Sequence, residues 1–493
     1  MKKSVHLGLV CALAMLSACA ADVGDVDRTQ PGKLKKSIFE SEWHYRQTVI
    51  GVPFTSGVTF IGEQSSLERV RWEISEAHLT AYRSYERVHG SETPSQLPGT
   101  EYQGAPIAAF AITSHFDVQR IYNDATGEQT NVIVEDSSDL PWYDREYIRV
   151  DWSQNLLANF EFIAGGNEGL GVRSQSASYA VTDPNSPDAP VFGVNTHKGW
   201  KDYRDPFEWG TLDSVDYFDI TQKIQVTPDF FPIYYEDGSF EQWPACWFYE
   251  YGPWDCASQT VKIRAAFLKA PPSDYEPLYY PDNYVARDEQ GNAIRTTWDE
   301  ESGHRRCTNE DDGALCSTVR VPMFDWFGYF RRERESYDRE RGVTEAGRLF
   351  YADRFNLWES STDESGARLP YEEREVKKIQ YYLSENFPKE LTAAAMEVGS
   401  WWNEPFADTV NALRGDTDAG VVFEIVPNTF ATKDGKITDF GQRNGDLRYS
   451  HLYWVDNPQF ESLLGYGPNS PDPLTGEVIA GSAYVYGAAI DTY

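Results

Sequence analysis

Basic residues are scarce in this chain. Lys and Arg number 44 against 77 Asp and Glu, a net charge of −33. A nucleic-acid binder needs a basic face to meet phosphates, so nucleic acid is excluded as a partner, and so is docking on anionic headgroups through surface charge. Histidine is thin too. The 8 are His6, His44, His78, His89, His115, His197, His304 and His451, and no two stand one helical turn apart. No helix can therefore present two imidazoles to one metal ion. A Walker loop, G-x-G-x-x-G and the G-x-S-x-G elbow are also missing. The acidic clusters Glu310-Asp311-Asp312 and Asp416-Thr417-Asp418 lack the spacing of a calcium loop. Trp and carboxylates are abundant, as in carbohydrate-active proteins, but abundance does not place two carboxylates across a sugar. Beyond the N-terminus no apolar run reaches the ~20 residues of a membrane-spanning helix.

The one apolar run lies at the start. Lys2 and Lys3 precede Leu7 to Leu16, and Leu16-Ser17-Ala18-Cys19 follows. This run is too short to span a bilayer, and the pattern resembles a bacterial lipobox. The resemblance implies cleavage before Cys19 and lipidation of its sulfur and new amine. It also implies an exported protein whose partner is a membrane, reached through that anchor. Ala20 rather than Asp follows the cysteine, which points to the outer membrane. An ordinary secretory signal that contains a cysteine is the alternative. Residues 20–37 read as a polar, flexible tether rich in Asp and Lys.

Four of the 6 cysteines remain, as Cys246 with Cys256 and Cys307 with Cys316. Close, even-numbered pairs in an exported chain read as disulfides. Of three pairings, the two local ones close the shortest loops, each adding ~2–3 kcal/mol in the chain-entropy picture. A four-cysteine zinc site is the competing reading, but neither pair has the close spacing of a zinc knuckle.

Residues 38–372 read as a β-rich region of one or two domains. Val70, Trp72 and Ile74 alternate with Arg69, Arg71 and Glu73; Ile148, Val150 and Trp152 alternate with Arg149 and Asp151. Val261, Ile263, Ala265 and Phe267 alternate with Lys262 and Arg264. Period two with one apolar face predicts half-buried antiparallel strands, in a sandwich or barrel. No fixed-period repeat suggests a propeller or solenoid. The charged run Arg331-Arg332-Glu333-Arg334-Glu335 predicts a solvated face with paired charges rather than a basic patch. After Pro370 the pattern alternates α and β. Strands are expected at 378–383, 421–425, 447–455 and 478–486. A helix is expected from Pro388 to about Phe406, burying Leu391, Ala395, Val398 and Trp402. The fold class is thus α+β.

The order strand, helix, strand, strand, edge strand resembles the upper subdomain of a metzincin-type zinc metalloprotease ahead of its active-site helix. The words that carry the likeness are Trp43-His44-Tyr45-Arg46, Leu67 to Ile74, Tyr337-Asp338-Arg339, Asn444 to Val455, Gly465-Tyr466-Gly467-Pro468 and Asp472 to Ile479. They are similar to large exported zinc-metalloprotease-like lipoproteins of Gram-negative bacteria, in which a β-rich prepeptidase region precedes the catalytic domain. The resemblance implies that residues 373–493 form an incomplete subdomain lacking its active-site helix. H-E-x-x-H occurs nowhere, so no catalytic or metal-ligating residue carries over. Zinc is expected only with a downstream or separate catalytic segment, and this chain is expected to be inactive alone. The resemblance also assigns an edge strand that pairs with an extended polypeptide ligand: Val478, Ile479, Ala480, Gly481, Ser482, Ala483, Tyr484 and Val485. A strand paired only internally is the alternative there. A second class of reading is a non-enzymatic surface lipoprotein that binds or scaffolds a partner through its β-rich domains.

Overall fold

Alternating aromatic and β-branched residues build most of this chain into strands. The computed structural model describes residues 24–54, 59–89, 104–157, 172–177, 183–228, 230–244, 258–280, 296–299, 304–307, 329–338, 340, 342–343, 349–459 and 463–490. Cys19, Cys246, Cys256 and Cys316 lie outside these residues, as does the side chain of Cys307, and both expected bridges lie outside with them.

Fourteen strands form the first sheet. They are β1 (Val26–Asp27), β2 (Lys33–Lys35), β3 (Glu42–Gly51), β4 (Glu68–Ile74), β5 (His78–Arg83), β6 (Pro106–Tyr122) and β7 (Gln129–Asp136). Then come β8 (Tyr147–Asp151), β9 (Val172–Ala177), β10 (Val191–Thr196), β11 (Gly199–Tyr203), β12 (Thr211–Leu212), β13 (Tyr217–Pro228) and β14 (Gln259–Lys269). The order is β11-β10-β13-β14-β3-β4-β5-β6-β8-β2-β12; β7 pairs with β6 and β1, and β9 with β13. A short helix, α1 (Pro206–Trp209), links the two end strands.

The sheet rolls up on itself. Trp152, just past β8, and Phe192, on β10, are seven strand spacings apart in the hydrogen-bonding order. On a flat sheet that is ~34 Å. Their ring centroids are 5.6 Å apart. Between them lies an aromatic core: Trp43, Trp72, Phe110, Phe218 and Phe267, all buried, with Phe218 stacked on Phe267 at 4.5 Å. The expected inward residues of β4, β8 and β14 are inside, including Val70, Ile148 and Ile263 at 0% exposure.

The expected tether is not free over its described part. β1 pairs in parallel with β7, Leu34 is in the core, and Arg149 donates to the carbonyls of Pro31 and Gln30 at 3.0 Å each. Lys33 is buried beside Asp27, 3.3 Å away. The polar residues read as solvated are here ion-paired and hydrogen-bonded to the rolled sheet.

A smaller sheet includes β15 (Arg331–Asp338) and β16 (Leu349–Ala352). The charged run is a strand whose arginines find local partners: Arg331 lies over Phe350 at 4.3 Å and Arg332 is 3.6 Å from Asp353. Burial pushes the Asp353 carboxyl up to about 6, against a lesser downward pull from Arg332. A carboxyl raised in the folded state favours folding when protonated, and that advantage is lost as pH rises through 6. Asp353→Asn should therefore stabilise the protein by ~1–2 kcal/mol at pH 8 and by little at pH 4. Urea unfolding at the two pH values checks this; equal effects would contradict it.

The third sheet is mixed. Its strands are β17 (Ile379–Leu383), β18 (Phe423–Val426), β19 (Ser450–Val455), β20 (Gly465–Tyr466), β21 (Asn469–Pro471) and β22 (Val478–Tyr486). The order is β18-β17-β19-β22-β20, with β21 also on β22. The first four are mutually parallel, whereas β20 and β21 run antiparallel to β22. Helix α2 (Thr392–Arg414) crosses between β17 and β18 and is stopped by Gly415 at φ +71°. It runs longer than the sequence suggests, and its buried stripe is displaced. Ala395, Gly399 and Val410 face the sheet, while Val398 and Trp402 are 36% and 58% exposed. Gly399 explains the rotation: a Cβ there would sit 2.9 Å from the Ile425 nitrogen, so only glycine lets the helix lie this close. Asn403, on the same face, accepts from the amides of Val422 and Phe423 at 2.8 and 2.9 Å.

Together these sheets form a β-rich α+β fold. A helical turn, α3 (Gly487–Ile490), follows β22 directly.

Candidate functional site

The outward residues of β3, β13 and β14 alternate with core residues as solvent-facing ones do. They are not in solvent. His44, Arg46, Thr48, Asp219, Thr221 and Arg264 are each at most 4% exposed, because the mixed sheet and the segment 441–449 lie across them. This junction is a densely built, buried polar site.

Segment 442–448 enters through a tight turn. Gly445 has φ +82°, and a Cβ there would meet Thr48 at 3.1 Å and Arg264 at 3.3 Å. On either side the chain sends charged groups into the interface. Arg443 pairs with Asp219, and Arg264 donates to the Asn444 carbonyl. Arg448 grips Asp446 at 2.7 and 3.1 Å and Asp202, on β11, at 2.6 and 3.0 Å. Its guanidinium carbon lies 4.0 Å from the Tyr217 ring centroid and 4.8 Å from that of Trp200. Burial alone would raise the Asp446 carboxyl, but Arg448 and then Arg443 outweigh it and hold it down at about 2.

A second set of contacts reaches β21 and β22. Asp472 Oδ2 lies 2.8 Å from His44 Nε2 and 2.6 Å from Arg69 Nε. Burial opposes its ionisation, yet the His44 and Arg69 contacts keep the carboxyl far below its usual range. Arg46 donates to Ser470 at 2.7 Å, and the Tyr484 hydroxyl donates to Asn444 at 2.7 Å. Tyr486 donates to the Ile61 carbonyl at 2.7 Å. The rolled sheet thus holds β21 and the turn after it by oriented, charge-assisted bonds, and the β3–β4 connection holds β22 by a neutral one, rather than by apolar contact alone.

The expected edge strand is an interior strand. Val478, Ala480, Gly481, Ser482 and Tyr484 are buried, and Ile479, Ala483 and Val485 are half-buried. On one side β22 pairs with β19; on the other it pairs with β20 and β21. The turn Asp472–Glu477 causes this. Asp472 Oδ1 accepts from the amides of Leu474 and Thr475 at 2.8 and 3.0 Å, and Gly476 takes φ +75°. The preceding segment is folded back antiparallel, so the chain's own Asn469–Pro471 takes the place assigned to a ligand. The outer strands on that side are β20 and β21, with Leu463 and Leu464 37% and 57% exposed beside them. Short strands flanked by Pro468 and Pro471 are typical of a sheet edge.

Among the described residues the histidine side chains do not converge on a metal site. His44 and His451 are buried at the junction, His115 lies 3.1 Å from the Glu76 carbonyl, and His78 and His197 are exposed. Among the described residues no group of three or more His, Cys, Asp or Glu is placed to hold a metal ion. Reading the sequence misses Asp202, Asp219, Arg264 and Arg443 as site residues. The available signal is a charged residue at an outward position of a strand dense in aromatics, as in Trp43-His44-Tyr45-Arg46.

No protein-family model matches the chain. No curated protein matches it, and no solved structure does.

Proposed function

We propose that this chain is the N-terminal, strand-rich part of an exported zinc-metalloprotease-like lipoprotein, anchored through Cys19. Its mixed sheet is the shelf beside a catalytic centre whose H-E-x-x-H helix these residues do not carry. One observation supports this above the others. A parallel β17–α2–β18 unit is followed by parallel β19 and β22, with the short antiparallel strands β20 and β21 inserted before β22. Strand, helix, strand and strand follow the order the resemblance assigns to a metzincin upper subdomain; its last strand, β22, departs from that order in being interior, with β20 and β21 outside it, and α3 begins directly after it. In this reading an extended polypeptide adds to the outer edge at 463–469, where the backbone can pair with a further strand. The buried ion pairs of the junction are the positioning device. They fix β19 and β22 against the rolled sheet, and with them the direction in which the chain continues.

The test is metal content and proteolysis. A zinc hydrolase needs three protein ligands, an open water position and a nearby base. Purified alone, residues 20–493 should hold no stoichiometric zinc and cleave no casein. Supplied with a polypeptide from the same locus that carries H-E-x-x-H-x-x-G-x-x-H, they should support chelator-sensitive cleavage. Chelator-sensitive cleavage by the chain alone, lost on replacing its own His or Glu residues, would overturn the proposal.

A further inference from the structure

We propose that the tip of the β6–β7 hairpin is the membrane-facing end of the protein, with Val26, Ile121 and Tyr122 lying against a zwitterionic phospholipid surface. This rests on the lipid anchor at Cys19 proposed above. The direction comes from strand pairing. β1 runs parallel to β7, with Val26 opposite Val132 and Asp27 opposite Ile133. Followed backwards from Val26, the chain therefore runs toward the start of β7, which is the hairpin tip. Asn131 confirms that course, donating to the Gly24 carbonyl at 3.0 Å. Gly24 thus lies beside a residue only two positions beyond Gln129, which pairs with Tyr122 at the tip.

Four residues lie between Cys19 and Gly24, five steps along the chain. Their contour is at most ~17 Å, since an extended chain advances about 3.4 Å per residue. A lipid on Cys19 therefore holds the hairpin tip near the bilayer surface and turns this end of the rolled sheet toward it. The side chains there suit an interface. Val26, Ile121 and Tyr122 are 41%, 39% and 54% exposed, and tyrosine favours the headgroup level. Charge attraction is not the contact. Arg120 is matched by Asp25 at 2.6 Å, and Asp124 and Glu128 add negative charge at the turn. Anionic headgroups would be repelled, which selects a zwitterionic surface held by the covalent anchor.

Photocrosslinking on the lipidated full chain tests this. Tyr122 is replaced by p-benzoylphenylalanine, and in a parallel protein Phe207 is. Phe207 is 81% exposed on α1, and its neighbour Pro206 lies against Gly32, eight residues further along from Gly24. Both proteins are placed on phosphatidylethanolamine vesicles containing a clickable phospholipid, and fatty-acid labelling of Cys19 is measured in the same samples. Labelling with several-fold more lipid adduct at position 122 than at 207 supports the proposal. Labelling with equal or no adduct at 122 overturns it and leaves the anchor standing. No labelling, or equal labelling of Cys19→Ala, overturns the anchor and this proposal together.

Discussion

Arg448→Met is expected to lower the stability of the protein by ~3–5 kcal/mol, the usual cost of removing one partner from a buried ion pair. The side chains of Arg448 and Asp446 are 1% and 0% exposed. Methionine can fill the slot between Tyr217 and Trp200, so the loss is mainly electrostatic. It leaves Asp446 charged, buried and deprived of its strongest counterion. The carboxyl held at about 2 by Arg448 and Arg443 would then rise, and Asp446 would add a pH dependence above the range in which it titrates in the parent. Two measurements check this. Urea unfolding gives the size of the loss, and hydrogen exchange should show β19 and β22 opening before the rolled sheet. Adding Asp446→Asn to Arg448→Met should recover part of the loss, because the unpaired charge is then gone. A loss below ~1 kcal/mol, the range of surface ion pairs, would mean that the junction is not the clamp described.

That junction marks the boundary of what alternation can reveal. The inward residues of β4, β8 and β14 were legible because an aromatic or β-branched residue at every second position has one physical explanation, a face turned to a core. Their outward partners carry no such signal. Arg46 and Arg264 look like any solvent-facing arginine, and only a second sheet, brought in from some 180 residues further along, buries Arg264 against Asn444. The helix α2 was legible as a helix but not in rotation. Gly399 counts as a neutral residue in a hydrophobic stripe, yet its missing Cβ decides which face approaches Ile425. The edge of the mixed sheet was read one strand too late for a similar reason. Asn469–Pro471 has three residues, one of them proline, too little for any period to show. The Asp472 turn that folds it back was visible in the sequence, but which side of the turn forms the edge depends on β19 already occupying the other flank of β22.

Acid should loosen the same junction through His451. This residue is 1% exposed on β19, and burial is the main cause that pushes its imidazole down to about 4. Arg46 and Arg264 push the same way, while Asp446 and the Tyr449 backbone oppose them. A histidine whose pKa is depressed in the folded state is held neutral there and takes up its proton on unfolding. The stability it protects is therefore complete above pH 6.5 and falls progressively as pH drops from 6.5 to 4. The size is ~3 kcal/mol, from about 1.4 kcal/mol for each unit of depression. His115, also depressed by burial, adds to the loss in the same window, whereas Asp446, at about 2, acts only below it. Asp353, raised to about 6, acts in the opposite direction over this window, so the effect is read in an Asp353→Asn background, where the urea midpoint should fall between pH 7 and pH 4.5. In His451→Gln, which keeps a neutral polar group of similar reach, that fall should shrink by more than half. In His115→Gln it should shrink less. An unchanged pH dependence in His451→Gln would show that the imidazole is protonated or hydrated in the folded protein, and that Arg46 and Arg264 do not shape its titration as described.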